Sequence, residues 1–505
     1  MEKQLLELTF GRGKRLGIFA MLISCFALWG LLNNMTDSLV PAFQKIFAMD
    51  QSRAGLIQVA FYGAYAVLAI FASILVEEFS YRIGVLIGLG VYVIGALLYI
   101  PACTCASFDI YFIAIFVVAS GCSLLETTCN PYVLALGPPE TSVRRLNFAQ
   151  AFNPVGSVLG AFLARGLILS HLDPSTAAER AAMEPAKLQT IVNGELFWVC
   201  VPYVGLCALA LCIWVFFLRI NPFMSSYAQK KRGITRIVQA GLFSVVPLTL
   251  LYFLFPNLNK VVWILLGMLG PIGYVLWVPD YRKMLGVLVR RPRYVGGVIA
   301  LFFYVGVQIA VWTWLNVYCQ KELGVGPDVA ANYYLCSIFL FIAFRWVATG
   351  LMKYLNPAVL LALFALLAMG ASAGVMYGSS APLFTLFGMT FTVGVLSLIA
   401  ISGCMSLMFP TIYGIALEKL EPQAFRLGAA GLIMSILGGA IITPWMGGVL
   451  GAQRSAFFAL IPHGNGTWDA NLMTSDLGLR ASFAIPAICF AVVFVYALCF
   501  RKKNV

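Results

Sequence analysis

The chain reads as an all-α integral membrane protein: two parallel six-helix halves with an inserted two-helix hairpin, about fourteen transmembrane helices in all. Three features lead there. Of its 505 residues, 61% are hydrophobic and only 10% are charged, against about 25% charged in a soluble domain. Apolar runs of about 20 residues, the length that crosses a bilayer as a helix, recur from end to end. A pattern near residue 130 also returns near residue 409, about 280 residues later and in the same membrane sense.

By that length rule the spans fall at 17–43, 54–76, 84–102, 109–136, 146–170, 196–219, 237–255, 261–278, 294–317, 331–352, 357–377, 384–416, 427–450 and 481–500. A net charge of +13 would suit nucleic acid, but the basic residues sit in short clusters between apolar runs. With the N-terminus inside, 22 Lys and Arg fall in inner loops and 8 in outer loops. That is the positive-inside pattern, so both termini are expected to be cytoplasmic and no nucleic-acid partner is expected. The run after Arg15 is far longer than the apolar core of a cleavable signal. Of the two long outer loops, 171–195 has the composition of a short surface helix. The other, 451–480, holds the sequon Asn465-Gly-Thr467, one weak tripeptide. Thirteen cysteines form no CxxC pair and read as small core residues; with two histidines in the chain, no metal site is expected.

The repeat organises the rest. ETTCNPYVLALG around Asn130-Pro131 aligns with the run around Phe409-Pro410, and RRLNFAQAFNPVGSVLGAF aligns with FRLGAAGLIMSILGGAI. Parallel six-span halves with a binding site between them are the build of the major facilitator transporters. The division is then 1–220 for the first half, 221–293 for a central linker, and 294–505 for the second half. The linker carries the surplus hairpin, Val238–Phe255 and Val261–Val278, flanked by basic clusters.

The candidate chemistry lies in the few polar groups inside the spans. From Leu124 to Gly156 the chain places Glu126 in an apolar run, turns through Arg144 and Arg145, and re-enters with Gln150 and Asn153 on one helix face. The first span adds Trp29, Asn33, Asn34, Thr36 and Asp37. A carboxylate in hydrocarbon is costly when charged, so Asp37 and Glu126 suit groups that load and unload a proton. Amides plus an aromatic ring suit a sugar, with its hydroxyls and its apolar face; the plainer reading is that amides glue helices together. In the second half Tyr304, Gln308 and Trp312 repeat the aromatic–amide mix. No GxxxxGK[ST] run is present, and no enzymatic activity is expected.

LWGLLNNMTDSLVPAF, LETTCNPYVLALG, RLNFAQAFNPVGS, FFYVGVQIAVWTWL and FPTIYGIAL resemble the fucose–galactose–glucose branch of the major facilitator superfamily, across about four-fifths of the chain. The resemblance implies a monomeric, multi-pass carrier of the cytoplasmic membrane, surrounded by lipid. It would carry a monosaccharide by proton-coupled alternating access, with no cofactor besides the coupling proton. L-Fucose is the first expectation; galactose, glucose or N-acetylglucosamine, with either proton or sodium coupling, is the alternative. On the matching motifs Asp37 and Glu126 are expected to couple the proton. Trp29, Asn33, Asn34, Gln150, Asn153, Tyr304, Gln308, Trp312 and Phe409 are expected to bind the sugar. Phe409 stands where fucose-carrying members have a tyrosine, and Val317 where they have an arginine. Phenylalanine at that position resembles the hexose and N-acetylglucosamine carriers.

Overall fold

With no water in hydrocarbon to satisfy backbone groups, apolar runs must fold as helices, and helices make up nearly the whole computed structural model. It describes residues 12–49, 56–175, 179–180, 182–219, 232–244, 260–450, 480 and 482–501. The first eleven helices are α1 (Arg12–Ile46), α2 (Leu56–Glu78), α3 (Tyr81–Leu97), α4 (Tyr99–Thr104), α5 (Phe108–Ala135), α6 (Ser142–Gln150), α7 (Phe152–Leu163), α8 (Pro185–Arg219), α9 (232–244), α10 (Lys260–Trp277) and α11 (Pro279–Val289). After them come α12 (Pro292–Leu323), α13 (Pro327–Leu351), α14 (Pro357–Tyr377), the strands β1 (Phe384–Leu386) and β2 (Met389–Phe391), then α15 (Val393–Met405), α16 (Met408–Ala416), α17 (Pro422–Met434), α18 (Gly438–Leu450) and α19 (Ala484–Cys499).

Among the described residues, eleven helical segments are long and apolar enough to cross a membrane, and Leu266–Trp277 and Ala484–Cys499 are shorter apolar helices. Each of the eleven overlaps one of the expected spans. Most of the expected span 237–255, the turn after it and nearly all of the loop 451–480 lie outside the described residues. Packing divides the chain into one unit of Met1–Arg291 with Lys419–Met434 and another of Pro292–Glu418 with Ser435–Val505.

One local expectation is corrected. The expected span 384–416 does not begin as a helix. Residues 384–391 form an antiparallel β-hairpin with Leu386 opposite Met389, turning through Phe387 (φ 51°) and Gly388 (φ 75°). Thr392 then caps α15 by accepting from the Val395 amide at 3.3 Å. In the loop 171–195, residues 179–180 are helical and some of their neighbours lie outside the described residues; α8 starts at Pro185 and runs unbroken into the span. Proline suits a first helical turn.

Glycines set the close crossing of α1 with α7. A Cβ on Gly30 would lie 2.0 Å from the Asn153 carbonyl oxygen, and one on Gly156 2.0 Å from that of Ala27. The second unit repeats the device, with Gly438 of α18 facing the Phe302 carbonyl oxygen of α12 at 2.1 Å. The repeat departs at the proline. α5 continues through Pro131, whereas its counterpart breaks at Ser406–Leu407 into α15 and α16. The buried Arg345 donates from Nε to the Ser406 carbonyl at that break, at 2.5 Å.

Buried ion pairs tie loop ends to helices within each unit. Arg180 grips Glu195 at the head of α8 with contacts of 2.5 and 2.9 Å, and Glu195 also accepts from the Asp173 amide at 2.9 Å. In the second unit Arg480 pairs with Glu322 and donates to the Gly378 carbonyl at 2.8 Å. α9 and α10 pack closely, with a Gly270 Cβ site 2.5 Å from Ser244 Cα. Ile237 of α9 packs on Ala72, Leu75 and Leu124.

Candidate substrate and coupling site

In the first unit the site is built around α5, which is buried without interruption from Val118 to Leu134. A helix buried on every side leaves Glu126 little contact with solvent, and its exposure is 7%. Among the described residues Glu126 forms no ion pair; its polar neighbour is Tyr65 of α2, whose hydroxyl also faces Cys122. Ser123, on the preceding turn of α5, donates to the Tyr65 carbonyl at 3.4 Å and fixes that crossing. One turn beyond Glu126, the buried Asn130 accepts from Gln150 Nε2 at 2.8 Å, joining α5 to the end of α6.

α1 presents Trp29, Asn33 and position 37 at four-residue intervals, one above the other on a single face. Trp29 is buried with its ring 4.4 Å from that of Phe26. Asn33 and Asn34 are half-buried, and Asn34 is engaged by a neighbour. Asp37 lies within α1, but its side chain is outside the described residues. Asn153 donates to the Phe26 carbonyl and Ser157 to that of Gly30, both at 3.2 Å, so Asn153 bonds across the glycine seam.

Four buried polar atoms, on α1 and on α5 just beyond Glu126, have no hydrogen-bond partner among the described residues: Asn33 Oδ1, Thr36 Oγ1, Thr127 Oγ1 and Asn130 Nδ2. Buried polar groups are nearly always paired, and each exception calls for an explanation. These occupy the helices that meet around Glu126, and together they offer the mixed donors and acceptors that a polyhydroxylated ligand requires.

The second unit carries a matching face. Setting Ala27 on Phe302, the residues that face the two seam glycines, shifts numbering by 275 and places Trp29, Asn33 and Asp37 on Tyr304, Gln308 and Trp312. Tyr304 is wholly buried and donates to the Met405 carbonyl at 3.0 Å, which braces the break between α15 and α16. Gln308 and Trp312 are half-buried. The Trp312 indole donates to Ser402 Oγ at 3.2 Å, and its ring packs edge-on against Phe341 at 5.2 Å and Tyr334 at 6.3 Å. Phe409 is buried at 8% exposure, with its ring parallel to Tyr413 at 6.0 Å and tilted to Tyr304 at 6.5 Å.

Residue reasoning passed over Asn130, Tyr65, Phe341 and Ser402. Asn130 carried a signal, since it precedes the repeated proline; the other three look like ordinary span residues until the helices pack.

The major facilitator superfamily profile matches residues 16–443. The chain belongs to the major facilitator superfamily. It is 33% identical over 483 residues to the L-fucose-proton symporter of Haemophilus influenzae, covering 95% of each chain. It is 26% identical over 485 residues to the glucose/galactose transporter of Brucella abortus, covering 95% of this chain and 92% of that one. Among solved structures it is similar to the major facilitator transporter FucP in the outward conformation. There the TM-score is 0.73 and the identity 28%, covering 97% of this chain and 100% of that one. The paired glycine seams and the matched faces of α1 and α12 agree with the parallel repeat of that superfamily.

Proposed function

We propose that this chain is a proton-coupled monosaccharide symporter, with L-fucose as its first substrate. It works by alternating exposure of the sugar site to the two sides of the cytoplasmic membrane, as a monomer with both termini inside. The observation that carries the reading is Glu126, a carboxylate enclosed by α5's buried run and without an ion-pair partner among the described residues. A bare charge there is costly and a proton removes the cost, so the group takes up and releases a proton as its surroundings change. Asp37 is assigned the second proton-handling role on its motif.

Sugar recognition falls to the unpartnered polar atoms around Glu126, to Asn33, Asn34, Gln150, Asn153 and Trp29, and to the Gln308–Trp312 face with Phe409 beside it. Tyr304 acts there by bracing. The 33% identity over nearly the whole length to an L-fucose-proton symporter supports this reading. A second reading, a galactose or glucose carrier, is favoured by Phe409: its ring lies among Tyr413 and Tyr304 and brings no hydroxyl of its own.

A competition panel separates the two. Proteoliposomes without sodium, given an inward proton gradient, should accumulate labelled L-fucose, and excess fucose but not glucose should block the uptake. Accumulation of glucose or galactose with fucose ignored would transfer the assignment to the second reading. Uptake of none of these sugars, with or without sodium, would defeat both.

A further inference from the structure

α2 ends in two adjacent carboxylates, and each is taken by a different neighbour. Glu77 Oε2 accepts from Arg426 Nη1 of α17 at 2.6 Å, with side-chain exposures of 14% and 11%, and the same guanidinium lies 5.7 Å over the Tyr81 ring. Glu78, 4% exposed, is held by the inserted hairpin and the helix after it. Arg236 Nη1 reaches its Oε1 at 2.5 Å, Arg232 reaches its Oε2 at 3.5 Å, and the Tyr281 hydroxyl donates at 3.1 Å. Arg236 is fixed in turn by Asp280 at 2.6 Å and lies 5.2 Å over the Tyr281 ring.

The internal repeat shows what is unusual here. Arg145 is the counterpart of Arg426, and it donates locally to the Val133 and Leu134 carbonyls at the end of α5, at 2.8 and 2.7 Å. Arg426 reaches instead for a carboxylate on α2, a helix 349 residues away in sequence. Successive residues on a helix point about 100° apart, so Glu77 can face α17 while Glu78 faces the hairpin. That division requires a cation for Glu78. Without one, a buried carboxylate would stand uncompensated beside Glu77 and compete for the single guanidinium of Arg426.

We propose that the inserted hairpin braces the transport cycle: by holding Glu78 it leaves Glu77 to join α2 to α17, and Glu78 and Arg236 are positioning residues that set how long that junction lasts. This rests on the carrier reading, because in a carrier a junction between the end of span 2 and the start of span 11 must open when that face of the membrane opens.

Hydrogen exchange on the purified full-length chain tests the brace without any sugar. Arg236→Gln should speed exchange at least tenfold over Pro422–Met434 as well as over 232–244. Arg236→Lys should stay near wild type, and the neutral pair Glu78→Gln with Arg236→Gln should restore protection of α17. In an Arg426→Gln background, Arg236→Gln should add nothing on α17. In uptake assays Arg236→Gln should change the maximal rate at least threefold while the half-saturating sugar concentration for exchange holds. Faster exchange confined to 232–244 would overturn the proposal, and so would a neutral pair as unprotected on α17 as Arg236→Gln alone. If Arg236→Gln does not fold, Glu78→Gln alone carries the test, and loss of α17 protection there refutes the brace. Failure of the carrier reading would instead show as wild-type protein that moves no sugar, whatever the exchange pattern.

Discussion

Replacing Gly156 with alanine puts one methyl group into the seam that aligns both polar faces of the first unit. The added Cβ would lie 2.0 Å from the Ala27 carbonyl oxygen, where ordinary contact begins at 3.4 Å, so α7 and α1 would have to part by about 1.4 Å. The Asn153–Phe26 and Ser157–Gly30 hydrogen bonds cross the same seam at 3.2 Å, and that separation takes both out of reach. Overpacking of a tight core costs about 1–3 kcal/mol and each lost hydrogen bond about 1 kcal/mol. The expected loss is therefore about 3–5 kcal/mol of stability. Sugar affinity should suffer too, because a shift of about 1 Å in a positioning group can cost on the order of a hundredfold. Two assays read this: heat resistance in detergent followed by tryptophan fluorescence, and half-saturation for sugar in equilibrium exchange. Gly90→Ala is the control, since a Cβ there meets nothing within 4 Å; it should match wild type in both assays. A Gly156→Ala protein equal to wild type in stability and affinity would refute the seam as the element that positions the site.

Three further outcomes follow from the geometry. Glu195→Ala leaves Arg180, itself 5% exposed, as a buried charge without its carboxylate; thermal or denaturant unfolding should show a loss of about 3–5 kcal/mol. Phe409→Tyr adds a hydroxyl between Tyr413 and Tyr304, and competition uptake should show the preference between fucose and glucose shift by about tenfold, or 1.4 kcal/mol, toward fucose. The third concerns acid. The Arg236 guanidinium hydrogen-bonded to Asp280 holds that carboxyl below the ordinary aspartate range. A depressed aspartate contributes stability above its unfolded pKa, about 3.9, and loses it as pH falls through the lower folded value. Proteolysis of 232–244 should therefore rise below about pH 4, and Asp280→Asn should abolish that acid step.

Much of the fold was legible because bilayer thickness dictates run length, and because the repeat registers one half on the other. The site needed a different shift: Trp29, Asn33 and Asp37 fall on Tyr304, Gln308 and Trp312 only when Ala27 is set on Phe302, 275 residues on, a match that the packed seams supply. What stayed hidden depends on distance along the chain. Nothing near Glu78 announces that Arg236, 158 residues away, will neutralise it. Nor does the neighbourhood of Glu195 reveal that Arg180 closes back on it. Tyr304 reads as a sugar ligand from its place beside Gln308, yet its hydroxyl meets the Met405 carbonyl because the counterpart of α5 breaks there. The β-hairpin at 384–391 escaped because Phe384, Leu386 and Phe391 look like span residues, and only the positive φ of Phe387 and Gly388 shows the turn.

The most direct test of the account is the proton itself. Lightly buffered proteoliposomes holding the wild-type chain, given L-fucose with no imposed gradient, should show an external rise in pH as sugar enters. Glu126→Gln should exchange sugar at equilibrium yet move no proton with it. Sugar entry without any pH change in the wild type, or a pH change that survives in Glu126→Gln, would contradict Glu126 as the coupling carboxylate.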